Sequence, residues 1–176
     1  VYGNVDEVEL VLNGKTIRRQ TADKGPDSDY IPVPNGGNGK NLHFPPFTFY
    51  GVPKERGVLE AVGYHQGKKV AEYTVKTPGV PERLDITYFE SGKPATKNDL
   101  LIVYVRMLDK QGVLCPVNGI PVELSVQGGE IVGPTSYPLE AGVASFLVRT
   151  GEISKININA TGKGFSTRKS LKVGKE

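Results

Sequence analysis

The chain has 176 residues, of which 38% are hydrophobic and 23% charged, so its composition is that of a globular protein rather than a disordered one. The net charge of +3 is spread almost evenly along the chain, which argues against a nucleic acid partner. A single cysteine, Cys115, excludes an intrachain disulfide and a cysteine-based metal site. No apolar run approaches the roughly 20 residues that a membrane-spanning helix needs, so we expect no membrane span.

The first predicted element is a β-hairpin over residues 6–19, with the sequence DEVELVLNGKTIRR. Asn13-Gly14 is the strongest local signal for a two-residue hairpin turn, because both central positions need a positive φ. Apolar and acidic residues alternate on its first strand, which predicts one buried and one solvated face. The chain begins at Val1, almost inside this strand, and we therefore expect it to be part of a longer polypeptide.

A long loop is predicted over residues 21–46, which hold several prolines and a Gly-Gly step and show no sustained period of 2 or 3.6. Loops of this length in compact domains are usually functional or disordered. Asp23, Asp27 and Asp29 offer oxygen ligands, but their spacing does not match a calcium-binding loop, so we interpret them as turn formers. Residues 47–52 are predicted to form a short strand after the loop.

A second hairpin is predicted over residues 58–75, with its turn at Gln66-Gly67. The following segment, KTPGVPE at residues 76–82, has two prolines and a glycine, which disfavour a helix and a central strand. We interpret it as a short, stiff linker. The predicted domains are therefore residues 1–78 and residues 79–176.

The second domain alternates in hydrophobicity throughout and predicts short strands separated by turns. Residues 100–108 are apolar almost throughout, as expected for a central strand that is covered on both faces. Basic residues gather near the C-terminus but are interrupted by apolar ones, which indicates a solvated strand face; they are Lys163, Arg168, Lys169, Lys172 and Lys175. The fold class is all-β, with two consecutive immunoglobulin-like β-sandwich domains.

Two stretches of the first domain resemble the C-terminal part of glycoside hydrolase family 2 enzymes of the β-galactosidase kind. Positions of the first stretch that match the family pattern are Asn4, Asp6, Glu7, Val8, Glu9, Leu10, Leu12, Asn13, Gly14 and Lys15. Those of the second are Val52, Pro53, Gly57, Leu59, Ala61, Val62, Gly63, Tyr64, Gly67 and Lys68. Residues 84–173 resemble the immunoglobulin-like domain that follows in these enzymes, and also the domains of invasin-type adhesins. The departures are Phe49, where the family often has Trp, and a shortened loop over residues 133–142.

The resemblance implies that the catalytic residues lie outside this chain. Family 2 enzymes use two glutamates on a barrel upstream, and retaining chemistry needs these carboxyl groups about 5–5.5 Å apart. Glu55, Glu60 and Glu72 are interpreted as surface charges, and His43 and His65 as turn or surface residues. We expect no catalytic residue, no cofactor and no metal site in this chain.

The main hypothesis is that these are non-catalytic accessory domains that support or space the barrel of a retaining, β-galactosidase-like enzyme. The expected partners are the other domains of the parent hydrolase. The resemblance further implies a periplasmic or extracellular location.

Two alternatives stay open. A carbohydrate-binding module needs aromatic platforms, and the aromatics near the long loop make Tyr30, His43, Phe44 and Tyr50 the candidate residues for contact with carbohydrate or with the parent barrel. Phe47 and Phe49 are expected to fill the core instead. A surface adhesin of tandem immunoglobulin-like domains explains residues 84–173, but not the patterns of the first domain.

Overall fold

The computed structural model describes residues 1–23, 45–89 and 94–174. These residues form β-strands, turns and extended segments without a helix, which confirms the all-β fold class. The chain divides into two compact units, Val1–Thr77 and Pro78–Glu176, here called unit 1 and unit 2. The boundary predicted from the linker sequence lies one residue further on, between residues 78 and 79.

Unit 1 contains a four-stranded antiparallel sheet in the order β2-β1-β3-β4. The strands are β1 (Glu7–Leu12), β2 (Lys15–Thr21), β3 (Val58–His65) and β4 (Lys68–Lys76). Both predicted hairpins are confirmed, and their first turn residues, Asn13 and Gln66, have positive φ values of 51° and 48°. Short turns of this kind match the right-handed twist of the strands that they join.

Residues 47–52 do not form the predicted strand, although Phe47 is buried inside unit 1. The backbone of Phe47 exchanges two hydrogen bonds with Val1, one in each direction, at 2.8 and 2.9 Å. Gly51 then takes a φ of 67°, which ends any extended run before Pro53. The Phe47 side chain is 1% exposed, as expected for a core residue, whereas Phe49 is only half-buried.

Unit 2 is a sandwich of two four-stranded sheets, in the orders β5-β6-β10-β8 and β12-β11-β7-β9. The first sheet is formed by β5 (Arg83–Tyr88), β6 (Leu100–Leu108), β10 (Val143–Thr150) and β8 (Gly129–Ile131). The second is formed by β12 (Phe165–Lys172), β11 (Lys155–Gly162), β7 (Pro121–Gln127) and β9 (Ser136–Pro138). The inward faces of the two sheets form one core, which includes Val103, Val148, Val122, Ile156 and Ile158. Alternating inward residues of both sheets are what such a sandwich requires.

The expectation that residues 100–108 are covered on both faces is wrong. The strand lies at the centre of its sheet, but its residues alternate between buried and exposed up to Met107. Leu101, Val103 and Val105 point into the core, while Leu100 and Ile102 are exposed. The short strands β8 and β9 were not predicted. Both have only three residues, which is too short for a period of 2 to be visible in the sequence.

The basic residues on β12 follow the predicted strand pattern, whereas Lys163 lies in the turn before this strand and Lys175 lies outside the described residues. On β12, Arg168 and Lys172 are exposed and Leu171 is buried, so this is a solvated strand face, as the alternation had indicated. The Lys169 ammonium lies 5.5 Å from the centre of the Tyr88 ring, within the range of a cation–π contact. Within residues 1–23, 45–89 and 94–174 there is no helix long and apolar enough to cross a membrane.

Candidate functional site

One face of the unit 1 sheet is apolar along three neighbouring strands. Leu10 on β1 is the register partner of Ala61 on β3, which in turn is the partner of Tyr73 on β4. Leu59 and Val75 form the adjacent pair on the same face. Because side chains alternate between the two faces of a strand, these residues share one surface of the sheet.

An open cleft of about 410 Å³ lies on this face and is here called the apolar cleft. It is lined by Val1, Tyr2, Leu10, Leu59, Ala61, Tyr73 and Val75. Tyr2 and Tyr73 are 82% and 72% exposed, respectively. Among the described residues, no charged or amide side chain lines the cleft, and the polar side-chain groups of this lining are the two tyrosine hydroxyl groups.

One end of unit 1 is held together by side-chain contacts of Asp23. The Asp23 carboxylate accepts hydrogen bonds from both the N–H and the hydroxyl of Thr48. Its own N–H donates to the carbonyl of Pro46 at 2.8 Å. Asp23 therefore fastens the end of β2 to residues 46–48 through long-range hydrogen bonds, instead of the local turn contacts that were predicted for it. Asp27 and Asp29 lie outside the described residues.

The opposite face of the sheet carries a network of paired polar groups. The Glu9 carboxylate accepts hydrogen bonds from the Thr16 hydroxyl at 2.6 Å and the Tyr64 hydroxyl at 2.7 Å. These two donors hold the pKa of Glu9 below its ordinary value. The hydrogen bond between Tyr64 and Glu9 also raises the pKa of Tyr64. Arg19 pairs with Glu7 at 2.6 Å and places its guanidinium 3.7 Å from the centre of the Tyr64 ring. The carboxylates of Glu7 and Glu9 are thus bound in structural contacts.

Asp6 fixes the turn of the second hairpin. Its carboxylate accepts a hydrogen bond from the Gln66 N–H at 2.7 Å and lies 3.1 Å from His65 Nδ1. The Gln66 N–H, followed by the contact with His65, holds the pKa of Asp6 below its ordinary value. His65 is the exposed last residue of β3, so of its two predicted roles, turn or surface, it has the surface role.

Asn13 fixes the start of β3 in a similar way. Its side-chain oxygen accepts a hydrogen bond from the Val58 N–H at 2.9 Å, and its side-chain nitrogen donates to the Arg56 carbonyl at 3.1 Å. Asp6 and Asn13 therefore connect the two hairpins at the two ends of the β1–β3 pair. Both residues belong to the sequence pattern that carries the family resemblance.

Of the four predicted contact residues, only Tyr50 falls within the described part of the chain. It is 47% exposed and does not line the apolar cleft. Tyr30, His43 and Phe44 lie outside the described residues. The sequence reasoning missed Tyr2 and Tyr73. Apolar residues at alternate positions of the edge strand β4 are a signal that points to Tyr73, whereas Tyr2 precedes β1 and belongs to no such pattern.

The three glutamates that were interpreted as surface charges differ in their exposure. Glu55 and Glu72 are exposed, and Glu60 is half-buried on β3. Lys69 pairs with Glu72 at 2.5 Å and holds the pKa of this glutamate below its ordinary value. Among the described residues, no three His, Cys, Asp or Glu side chains lie close enough together to hold a metal ion.

The buried polar groups of unit 2 also serve the fold. Asp109, which is almost fully buried, accepts hydrogen bonds from the N–H groups of Gly79 at 2.7 Å and Val113 at 2.8 Å. Its pKa is lowered, first by Gly79 and then by the N–H groups of the turn that follows. Cys115 is 2% exposed, and burial raises the pKa of its thiol.

Comparison with protein families and curated proteins gives matches along most of the chain. Residues 1–71 match a family model described as a domain of unknown function (DUF4982). The chain is 30% identical over 162 residues to a β-galactosidase of Thermoanaerobacter pseudethanolicus, covering 85% of this chain and 20% of that protein. It is also 30% identical over 112 residues to a β-galactosidase of Rhizobium radiobacter, covering 62% of this chain and 81% of that sequence.

Solved structures show the same arrangement of strands. A glycosyl hydrolase family 2 member from Bacteroides cellulosilyticus matches with a TM-score of 0.72 and 24% identity, covering 97% of this chain and 23% of that one. A β-glucuronidase from glycoside hydrolase family 2 matches with a TM-score of 0.73 and 22% identity, covering 99% and 18%. At these identities the likeness shows the fold alone. The chain spans only 20% and 13% of the length of the first two curated relatives.

Proposed function

The chain belongs to the β-galactosidase-like enzymes of glycoside hydrolase family 2, of whose C-terminal region it is a part, and on this premise we propose that it is a non-catalytic accessory region. In this proposal the two units support or space the catalytic barrel of the parent hydrolase. The partners are the other domains of the same polypeptide, and the parent is a retaining, β-galactosidase-like enzyme. The short share of the relatives that this chain covers supports such a partial role.

The observation that carries the proposal is that residues of the family pattern form the contacts between the two hairpins of unit 1. Asp6 and Asn13 bind the turn and the start of the neighbouring hairpin through hydrogen bonds of 2.7–3.1 Å. Gly57 leaves the space that the Asn13 side chain fills, since a Cβ there would lie 1.8 Å from its oxygen. Residues that carry the resemblance thus fit one another and build a rigid sheet, which suits a supporting domain.

Deletion of this region from the parent enzyme tests the proposal. We expect the isolated chain to show no turnover of a nitrophenyl β-galactoside, and the truncated parent to lose thermal stability while its KM changes little. A matched control is the parent with Thr74→Ala, an exposed substitution on β4, which should behave as the wild type. Turnover by the isolated chain, or a truncated parent of unchanged stability, would contradict the proposal.

Carbohydrate binding is the second candidate, and the exposed tyrosines of the apolar cleft favour it. Sugar rings stack on aromatic faces, and Tyr2 and Tyr73 both offer one. Sugar sites also need polar groups that fix orientation, and the cleft lining provides few of these. A titration with soluble oligosaccharides, using Tyr73→Ala beside Thr74→Ala, decides between the two. Binding that only Tyr73→Ala abolishes would favour the sugar site.

A location in the periplasm or outside the cell is part of the main proposal and rests on the family membership. Fractionation of cells that produce the parent enzyme tests it. Activity confined to the cytoplasmic fraction would contradict it.

A further inference from the structure

Four apolar side chains lie next to one another on the outward face of the sheet β5-β6-β10-β8 in unit 2. Ile102 on β6 and Leu147 on β10 are register partners. Phe89, just after β5, donates its N–H to the Ile102 carbonyl at 2.9 Å, and Val132, just after β8, donates to the Leu147 carbonyl at 2.8 Å. These four residues, here called the apolar row, therefore cross all four strands of the sheet.

The apolar row is exposed although it belongs to a well-packed sheet. Phe89 is 61% exposed and Ile102 44%, and Leu147 and Val132 are also exposed. The next residue along each central strand, Val103 or Val148, is fully buried in the core. Strand alternation thus fixes the outward direction of the row, so its exposure does not come from loose packing. Large contiguous apolar patches mark interaction surfaces, whereas single exposed apolar residues do not.

In the part of the chain that the structure describes, the charged groups beside the apolar row are paired within the sheet. Arg149 and Glu130, which are register partners, form an ion pair at the end of the row. Further along, Arg106 pairs with Asp85 at 2.5 Å. This surface therefore offers apolar contact rather than charge complementarity. It also suits a sugar poorly, because Phe89 is the only aromatic residue of the row and provides no group that would orient a ligand.

We propose that the apolar row docks against an apolar surface of another domain of the same polypeptide, an inference that rests on the proposed function. The curated relatives are much longer than this chain, which covers 20% and 13% of the first two, so most of their polypeptide is available for such a contact. Domains of one chain typically share roughly 600–1,500 Å². A surface whose charges are satisfied internally suits contact with an apolar partner surface better than electrostatically steered binding.

Thiol labelling tests the docking. Ile102→Cys places a thiol in the apolar row, and Ser125→Cys places one at an exposed position of β7, on the other sheet. The native Cys115 is buried and its pKa is raised, so the background reaction is slow. We expect both introduced thiols to react readily with a maleimide in the 176-residue chain. In the full-length polypeptide the labelling rate of Ile102→Cys should fall by about tenfold or more, while that of Ser125→Cys should stay the same.

Equal labelling of Ile102→Cys in the chain and in the full-length polypeptide would overturn the proposal. The proposal would also be overturned if the 176-residue chain sedimented as a dimer at high concentration and Ile102→Cys were labelled slowly there. The surface would then be covered by a second copy of this chain. Ile102→Thr, which keeps a β-branched side chain, provides a second measurement. It should lower the thermal midpoint of the full-length polypeptide more than that of the chain, and an equal effect on both would contradict docking.

The labelling and stability experiments distinguish a failure of this inference from a failure of the proposed function. Freely labelled Ile102→Cys in a full-length enzyme that still needs this region for stability would remove the docking surface alone. A protected thiol in an enzyme whose stability does not depend on this region would instead remove the supporting role.

Discussion

The side chain of Asn13 binds the backbone of Val58, which lies 45 positions further along the chain, with its oxygen 2.9 Å from the Val58 nitrogen. The backbone N–H of Asn13 also donates to the Val58 carbonyl at 2.8 Å. Asn13 is at the same time the first residue of the β1–β2 turn, with a φ of 51°. One residue therefore closes its own hairpin and positions the start of the next.

Asn13→Gly is expected to separate these two roles. Glycine keeps the positive φ of the turn but removes the side-chain bonds to Val58 and Arg56, so unit 1 should lose about 1–2 kcal/mol of unfolding free energy. Urea unfolding of the whole chain, followed by NMR signals of unit 1, measures the loss. Gln66→Gly at the corresponding turn position is the control, and a loss as large as that of Asn13→Gly would contradict the assignment.

Gly57→Ala should destabilise unit 1 strongly. The φ of Gly57 is 140°, and an added Cβ would lie 1.8 Å from the Asn13 side-chain oxygen. Gly133 also has a positive φ, 112°, but a Cβ added there would have no atom within 4 Å. Gly133→Ala therefore measures the cost of the backbone strain without a steric clash. Thermal unfolding should show a clearly larger loss for Gly57→Ala. The loss should shrink in an Asn13→Gly background, and an unchanged loss there would show that Asn13 is not its cause.

The stability that Asp6 provides should depend on pH. Because hydrogen bonds from the folded chain lower the pKa of Asp6, its contribution is present above the ordinary value of 3.8 and is lost as the pH falls through the folded value. Asp6→Asn should therefore unfold more easily than the wild type at neutral pH, and the difference should vanish in acid. Unfolding curves between neutral and acidic pH measure this. A difference that persists at the acidic end would mean that the charge is not responsible.

Thr150→Val should destabilise unit 2 without changing the size of the side chain. The buried Thr150 hydroxyl accepts a hydrogen bond from the Asp99 N–H at 2.8 Å and donates to the Thr96 carbonyl at 2.6 Å. Without the hydroxyl both backbone groups lose this partner, at a cost of about 1–3 kcal/mol. Denaturant unfolding measures the cost. Thr150→Ser keeps the hydroxyl and should retain most of the stability, so equal losses in the two variants would point to the methyl group instead.

Cys115 should react with thiol reagents only when unit 2 unfolds. It is 2% exposed, and burial, followed by the charge of Asp109, raises the pKa of its thiol. The rate of reaction with a disulfide reagent should therefore increase with urea in parallel with the unfolding of unit 2. Rapid reaction of the native chain in buffer would contradict this expectation.

The sequence by itself determined the local elements of this protein. Asn13-Gly14 and Gln66-Gly67 set the two hairpin turns, because only a few residue types adopt positive φ, and alternation set the longer strands of both units. It also carried the resemblance to family 2 hydrolases through patterns that include Asp6 and Asn13. These are properties of neighbouring residues, which a linear pattern records.

The tertiary structure alone decided which distant groups meet. It assigned the partners of Asp6 and Asn13 and formed the apolar cleft from residues of three strands. It also left the outward face of Leu100–Leu108 open, where the apolar run had suggested a cover on both sides. Residues 47–52 kept an irregular backbone despite their apolar character, since Phe47 pairs with Val1 rather than with a complete strand. Hydrophobicity states that a side chain favours burial, but sheet order and register decide whether another surface is there to bury it.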